Sequence, residues 1–277
     1  MTEATGEAAS EVLAPSPGKG PGRLRTLLSA YAPAILVFLA VGFAWEAAVA
    51  FFRIPKFLLP APSVVIQRII ADAEPLAQNV FVTMQAAVAG LILGTIIALA
   101  FALIFLMSRI LERALFPWAI IVQTVPILAI APLLTIWLGF GIAPKIAVSA
   151  IITIFPILVN TVRGLRSVNR QVFELMRVIG ASPGQTFREV RVFAAMPYTF
   201  AGLRISAGGA VIGAIVAEFT GANLGIGTVI VNAGYRQDAT MLFSAIFCSC
   251  VATIALFYVV VALERLCLFW PDARLES

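Results

Sequence analysis

Very little in this chain could carry covalent or metal chemistry. It has no histidine, which removes imidazole metal sites and histidine acid–base work. Its three cysteines, Cys248, Cys250 and Cys267, fall in or beside the last apolar stretch and read as small apolar fillers, not as a disulfide framework. Among the charges within apolar stretches, Glu46 after Trp45 and Glu218 stand out. A carboxylate at membrane depth is costly and faces protein or water. Glu46 reads as structurally paired. Glu218 either caps the bundle or pairs with an arginine, or it lines an outer gate. Gln123, Thr124, Thr153, Asn160 and Ser206 are polar residues that could face a path or hydrogen-bond neighbouring helices; Thr124, Asn160 and Glu218 are the candidate gate or pathway residues. None of these supplies a nucleophile with its base or a pair of acid–base carboxylates. No G-x-x-x-x-G-K-[ST] phosphate loop is present, and the Gly18-Lys19 pair lies in the N-terminal tail. The expectation is a chain that is not an enzyme and binds no cofactor or metal of its own.

The elements that position these residues are apolar helices. The chain is 61% hydrophobic and 12% charged, against about 25% charged for a soluble domain. The fold class is therefore all-α, a polytopic membrane bundle. A span needs about 20 mostly apolar residues, and six stretches qualify: 32–52, 80–107, 114–138, 144–162, 196–219 and 240–268. The third is punctuated by Pro117, Pro126 and Pro132, which predicts a kinked helix inside the bundle. Residues 1–30 are expected as a disordered cytoplasmic tail, 31–268 as the transmembrane domain and 269–277 as a cytoplasmic C-terminal tail. The tail lacks the apolar core of a cleavable signal. The first span then serves as the insertion signal.

Orientation follows from lysine and arginine. With the N-terminus inside, only Arg53, Lys56, Arg68, Lys145 and Arg236 fall outside; Arg204 sits near the inner start of the fifth span, and the remaining basic residues are all inside. That bias places both termini in the cytoplasm. Because the basic residues cluster between apolar stretches, the pI near 9.5 reflects topology and not nucleic acid. Residues 60–78 are then extracytoplasmic. Pro60, Pro62 and Ser63 suggest the start of a short amphipathic helix, with Ser63 as its N-cap. That helix could rest on the membrane surface or against the bundle.

The segment Arg163–Arg204 is unusually organised for a connector. Val172, Leu175, Met176 and Ile179 fall at i, i+3, i+4 and i+7, one apolar helical stripe, with Arg170, Glu174 and Arg177 on other faces. Gly180 suits the left-handed residue that stops a helix. Ser182-Pro183, with Gln185 behind, suits the N-cap, first position and capping box of a second short helix through Phe187, Val190 and Arg191. The loop, about 163–195, predicts helix–turn–helix. Such a stripe fits lipid headgroups or a protein groove, and the specified corner favours the groove. Being pinned to the bilayer at both ends argues against DNA.

This segment resembles the "EAA loop" of membrane subunits of ABC importers. Glu174, Gly180 and Val190 match its glutamate, glycine and branched residue in spacing. Leu175 and Met176 replace the two alanines, Val192 and Phe193 stand at its end, and Pro197 follows four residues later. LPAPSVV at 59–65, PILAIAPLLTIWLGFGIAPK at 126–145, NTVRGLRSV at 160–168, GLRISAGGAVIGAIVAEF at 202–219 and Gly225-Ile-Gly227 extend the similarity in order over nearly everything after residue 30. They resemble permeases for nitrate, sulfonate, taurine and related compounds. Relatives often show Thr-Leu-x-Arg where this chain has Thr83, Met84, Gln85 and Ala86.

The resemblance implies a type I ABC importer permease (MetI-like) fold in the bacterial cytoplasmic (inner) membrane. It implies two permease copies forming the path, two cytoplasmic ABC ATPase subunits that bind ATP-Mg, and an extracytoplasmic solute-binding protein. It makes Phe173, Glu174, Leu175, Met176, Arg177, Ile179, Gly180, Ala181 and Ser182 the ATPase-coupling residues. Stretches 197–203 and 210–219 also look like permeases for pyrimidines, thiamine precursors or other vitamins, so two cargo classes stand open. A secondary transporter, the other class, would need an inverted repeat, and none is apparent.

Overall fold

The computed structural model of the chain describes residues 23–268 and 270, the side chains of 23–31 excepted. Among the described residues every regular element is a helix. Five are long and apolar enough to cross a membrane, or six if one bent pair is a single span, so the expected bundle of about six holds. α1 (Arg23–Phe51) belongs to one compact unit, and everything from Ile54 onward forms a second. α1 begins at Arg23, within the stretch 1–30 expected as a tail. Residues 1–22 and most of the C-terminal tail lie outside the described residues.

In the second unit, α2 (Pro62–Ala71) is short. Its N-cap position is Ala61, with Pro62 next; Ser63 is inside the first turn, not the cap. Proline suits that first position because its missing N–H is one of the orphans of a helix start. α2 buries Val65 against the bundle, and Ser244 Oγ reaches the Val65 carbonyl at 3.4 Å. α3 (Ala73–Met107) is the second span, longer than expected at its N-terminal end.

The third stretch departs most from expectation. It is two helices, α4 (Arg109–Thr124) and α5 (Ile127–Leu138), bent by 98° across the break between them. Pro117 and Pro132 sit within helices and do not break them; Pro126 stands at the N-cap of α5. A proline disfavours the helical region for the residue before it, and Val125 is extended (φ −69°, ψ 129°). Nor does the pair lie inside the single chain's bundle: α4 has no fully buried residue, and α5 buries only Ala131 and Thr135.

α6 (Ile142–Leu165) is the central helix, packed between α3 and α9 (Val192–Glu218). Glycines make that possible. A Cβ on Gly90 or Gly94 of α3 would run into Ser149 or Thr153 of α6, and one on Gly213 of α9 would sit 2.8 Å from the Ser149 Cα. Gly202 and Gly209 face Ile157 and Ile152 of α6 in the same way. The Gly209–Gly213 pair therefore serves packing against a neighbouring span. Close backbones also admit hydrogen bonds between helices, which hold apolar helices together in lipid: Ser149 Oγ donates to the Ala210 carbonyl (2.8 Å) and Ser206 Oγ to the Thr153 carbonyl (3.3 Å).

Between α6 and α9 lie α7 (Arg170–Val178) and α8 (Pro183–Thr186). The second loop helix is not a separate element. α8 passes through a π-turn at Phe187–Arg191 directly into α9, giving one helical run over Pro183–Glu218. α10 (Ile226–Tyr235) was not anticipated. Its 10 residues are too few to cross a bilayer, and it leads into the last span, α11 (Ala239–Cys267).

The glycine packing makes a contrast measurable. Gly213→Ala is expected to destabilise by about 1–3 kcal/mol through overpacking, because the Ser149 backbone cannot move aside. Gly208→Ala, whose Cβ would lie 4.0 Å from Thr253 Cγ2, is expected to be neutral or mildly stabilising. Thermal unfolding of the two variants in one detergent checks this.

Candidate functional site

The loop between α6 and α9 is built by local signals. Asn169 caps α7, its side chain accepting the Gln171 N–H at 3.1 Å. At the other end Gly180 has φ +72°, its N–H donates to the Arg177 carbonyl (3.0 Å), and the Ala181 N–H reaches back to Met176 (2.9 Å). This crossed pair of bonds is a Schellman stop, which needs a left-handed residue where glycine stands. Ser182 then accepts from the Gln185 N–H (3.3 Å) while the Gln185 side chain accepts from the Ser182 N–H (2.8 Å), a complete capping box.

The apolar stripe of α7 divides in two. Leu175 and Ile179 are 59% and 65% exposed, and Val178, absent from the predicted stripe, is 84% exposed. Phe173 and Met176 are half-buried, and the Arg191 guanidinium lies 4.8 Å above the Phe173 ring. Glu174 is exposed and pairs with Arg170 at 3.0 Å. Between α7 and the π-turn helix opens a cleft of about 570 Å³, lined among others by Arg170, Phe173, Glu174, Arg177, Ala181 and Arg191. Three guanidiniums against one carboxylate make it electropositive.

The candidate pathway residues are scattered. Thr124 is exposed at the end of α4 and its hydroxyl donates to the Ile121 carbonyl (2.8 Å). Asn160, half-buried in α6, donates to the Pro156 carbonyl (2.7 Å). Glu218 lies at the opposite end of the bundle from the loop and is 2% exposed. Its partner is Lys145, not an arginine. Oε1 accepts from Lys145 Nζ (3.1 Å) and from the Thr83 hydroxyl (2.8 Å), and Oε2 from the Gly227 N–H (2.7 Å).

The same cluster caps α10. A helix start leaves N–H groups without intrahelical partners. Here the Gly225 N–H goes to Asn79 Oδ1, the Ile226 N–H to Thr83 Oγ1 and the Gly227 N–H to Glu218, at 2.8, 2.8 and 2.7 Å. The helix dipole adds a favourable field for the carboxylate. Gly225 has φ +131°, and a Cβ there would land on the Glu218 carboxylate. Lys145 Nζ also donates to the Leu224 carbonyl at 2.5 Å. Sequence reasoning missed Lys145, Asn79 and Thr83. The available signal was a lysine just inside the start of an apolar stretch, one that ends in helix with no solvent to reach.

Removing one member of a buried pair leaves an uncompensated charge, which costs about 3–5 kcal/mol. Lys145→Met is expected to destabilise by that order, and Lys145→Met with Glu218→Gln to recover most of the loss. A double-mutant cycle on detergent-solubilised protein, read by thermal unfolding, checks it. Additive losses would contradict the pairing.

Comparison with known proteins agrees with this architecture. The family described as "Binding-protein-dependent transport system inner membrane component" matches residues 90–267. The chain is 35% identical to the formylaminopyrimidine transport permease protein ThiX of Halalkalibacterium halodurans, over 85% of this chain and 94% of that protein. It is 35% identical to the riboflavin transport system permease protein RibX of Chloroflexus aurantiacus, over 82% and 85%. It is 29% identical to the putative aliphatic sulfonates transport permease protein SsuC of Bacillus subtilis, over 92% of each. Among solved structures, a chain of the MetNI methionine ABC transporter in an inward-facing conformation shares the fold, with a TM-score of 0.62 at 18% identity over 70% of this chain and 97% of that one. A multi-pass helical bundle with this match over most of its length belongs to the binding-protein-dependent transport system inner membrane components, the permease subunits of ABC importers.

Proposed function

We propose that two copies of this chain form the translocation path of an ATP-driven importer, and that α7 docks in a groove on each of two cytoplasmic ATPase subunits. The observation carrying this reading is the exposed ridge Leu175, Val178 and Ile179 on a helix fixed at both ends by caps. Each such side chain contributes about 1.5–3 kcal/mol when fully buried. The electropositive cleft behind the ridge suits a partner with carboxylates at its rim, which set orientation and association rate more than affinity. A helix lying only on headgroups needs no Schellman stop and no capping box. ATP-Mg binds to the partner, and Phe173, Glu174, Arg177, Gly180, Ala181 and Ser182 hold the shape of the contact. The membrane is the bacterial cytoplasmic membrane, with the loop and both termini inside, as the bias of lysine and arginine supports.

For the cargo we infer a nitrogen heterocycle of pyrimidine or vitamin type, delivered by an extracytoplasmic binding protein. Identity is higher to the ThiX and RibX permeases than to the SsuC of Bacillus subtilis, 35% against 29%. At the end away from the loop, Lys145 is paired with Glu218, and Arg68 with Asp72 (2.5 Å) and Asp238 (3.4 Å). Two of the five cations assigned to that side are thus already matched by carboxylates. Thermal-shift screening of the cognate binding protein distinguishes the two classes: stabilisation by pyrimidines or flavins supports the reading, and stabilisation by alkyl sulfonates alone overturns it.

The docking reading is tested at Gly180. Proline cannot adopt φ +72° and has no N–H to give Arg177. Gly180→Pro is expected to lower ATP-driven uptake at least tenfold in vesicles holding all subunits, with insertion unchanged. Glu174→Ala is expected to act in the same direction and more weakly. Normal uptake by Gly180→Pro rejects the docking reading.

A further inference from the structure

A second polar contact lies at the loop end of the bundle, away from α7 itself. Arg166 occupies the C-cap of α6, its N–H bonded to the Arg163 carbonyl, and only Ser167, Val168 and Asn169 separate it from α7. Its guanidinium grips the Glu112 carboxylate with both nitrogens, NH1 to Oε1 and NH2 to Oε2, each at 2.6 Å. NH2 also donates to the Phe105 carbonyl near the end of α3 (3.3 Å). One side chain thus holds the ends of α3, α4 and α6. Among the described residues it is the ion pair with two matched bonds. The planar fork against a planar carboxylate fixes direction as well as distance.

What it holds is the loosest part of the bundle. α4 has no fully buried residue; Leu115, Phe116 and Ala119 lean on the core, with the Phe116 ring 6.3 Å from Phe105 and 6.4 Å from Phe155. Its far end is the 98° break before α5. Glu112 is twelve residues from Thr124 along a helix, a lever of roughly 18 Å.

We propose that Arg166 and Glu112 are positioning residues for transport: the clasp passes displacement of the docking loop to α4 and so to the break between α4 and α5. This rests on the permease reading above. Lysine keeps the charge and loses the fork, so Arg166→Lys separates geometry from electrostatics. In vesicles holding the permease, its ATPase and its binding protein, Arg166→Lys and Glu112→Gln are expected to lower solute moved per ATP hydrolysed at least fivefold. Inserted protein and co-purifying ATPase stay at wild-type levels. The exchange Arg166→Glu with Glu112→Arg is expected to return the ratio to within about twofold of wild type. Spin labels on α4 and α6 are expected to change separation on ATP addition in the wild type and not in Arg166→Lys. An unchanged ratio in both single variants overturns the clasp while leaving the docking reading intact. So does uptake and hydrolysis falling in proportion, or an exchange variant no better than the singles. A wild-type assembly without ATP-driven uptake overturns the permease reading and the clasp with it.

Discussion

Glu218 is the residue on which the bundle's far end depends. A carboxylate sealed from water must collect its donors from protein, and each donor here comes from a different element: Thr83 from α3, Lys145 from α6 and the Gly227 amide from α10. Satisfying one charge therefore fixes four helices relative to one another. A buried ion pair is weak evidence of net stability, since desolvation offsets much of the attraction. Its better-supported contribution is specificity. α10 is too short to find its own place in a bilayer, and the cluster states where its first turn begins. The start of α11 follows, since Asp238 caps it directly after α10.

The two ends of the molecule are organised on opposite principles. At the far end, polar groups turn inward and are saturated across long sequence separations. At the loop corner itself they turn outward on caps closed within a few residues, the long-range Arg166–Glu112 clasp lying apart from it, and apolar side chains are left uncovered. The first arrangement suits a closed, rigid corner and the second a surface made to meet another protein. Between them, α6 packs against α3 and α9 at glycine distance, so neither neighbour can slide without a backbone collision. α4 and α5, which bury few residues, lie outside that close contact.

How far the sequence carried depended on the range of the interactions. The Gly180 stop and the Ser182–Gln185 capping box are read within six residues, and both are present as the residue types demand. The spans were legible because a lipid solvent imposes length and hydropathy on them. Three features were not. The partner of Glu218 is 73 residues away, and a lysine near a span end looks like a topology signal until its pairing is seen. Three prolines predicted a kink, but which of them breaks the helix depends on what can satisfy the freed backbone nearby. α10 is apolar enough to be hidden between two spans, and its first turn is capped by side chains from other helices. Met176 shares one helical period with Leu175 and Ile179, whereas packing turns Met176 toward its own chain and leaves the other two uncovered.

The π-turn at Phe187–Arg191 has an angular consequence. Each residue of an α-helix advances the chain by 100°, and a π-turn is one extra residue accommodated without breaking the rod. The helical run from Pro183 to Glu218 joins the capped loop corner to the buried carboxylate. The extra residue thus acts as a phase offset between the two ends. A chain shortened by one residue there would keep both ends chemically unchanged yet turn the docking face by more than a quarter of a circle relative to Glu218. On the docking reading proposed above, fit to a partner becomes a matter of phase along one helix as well as of the surface it presents.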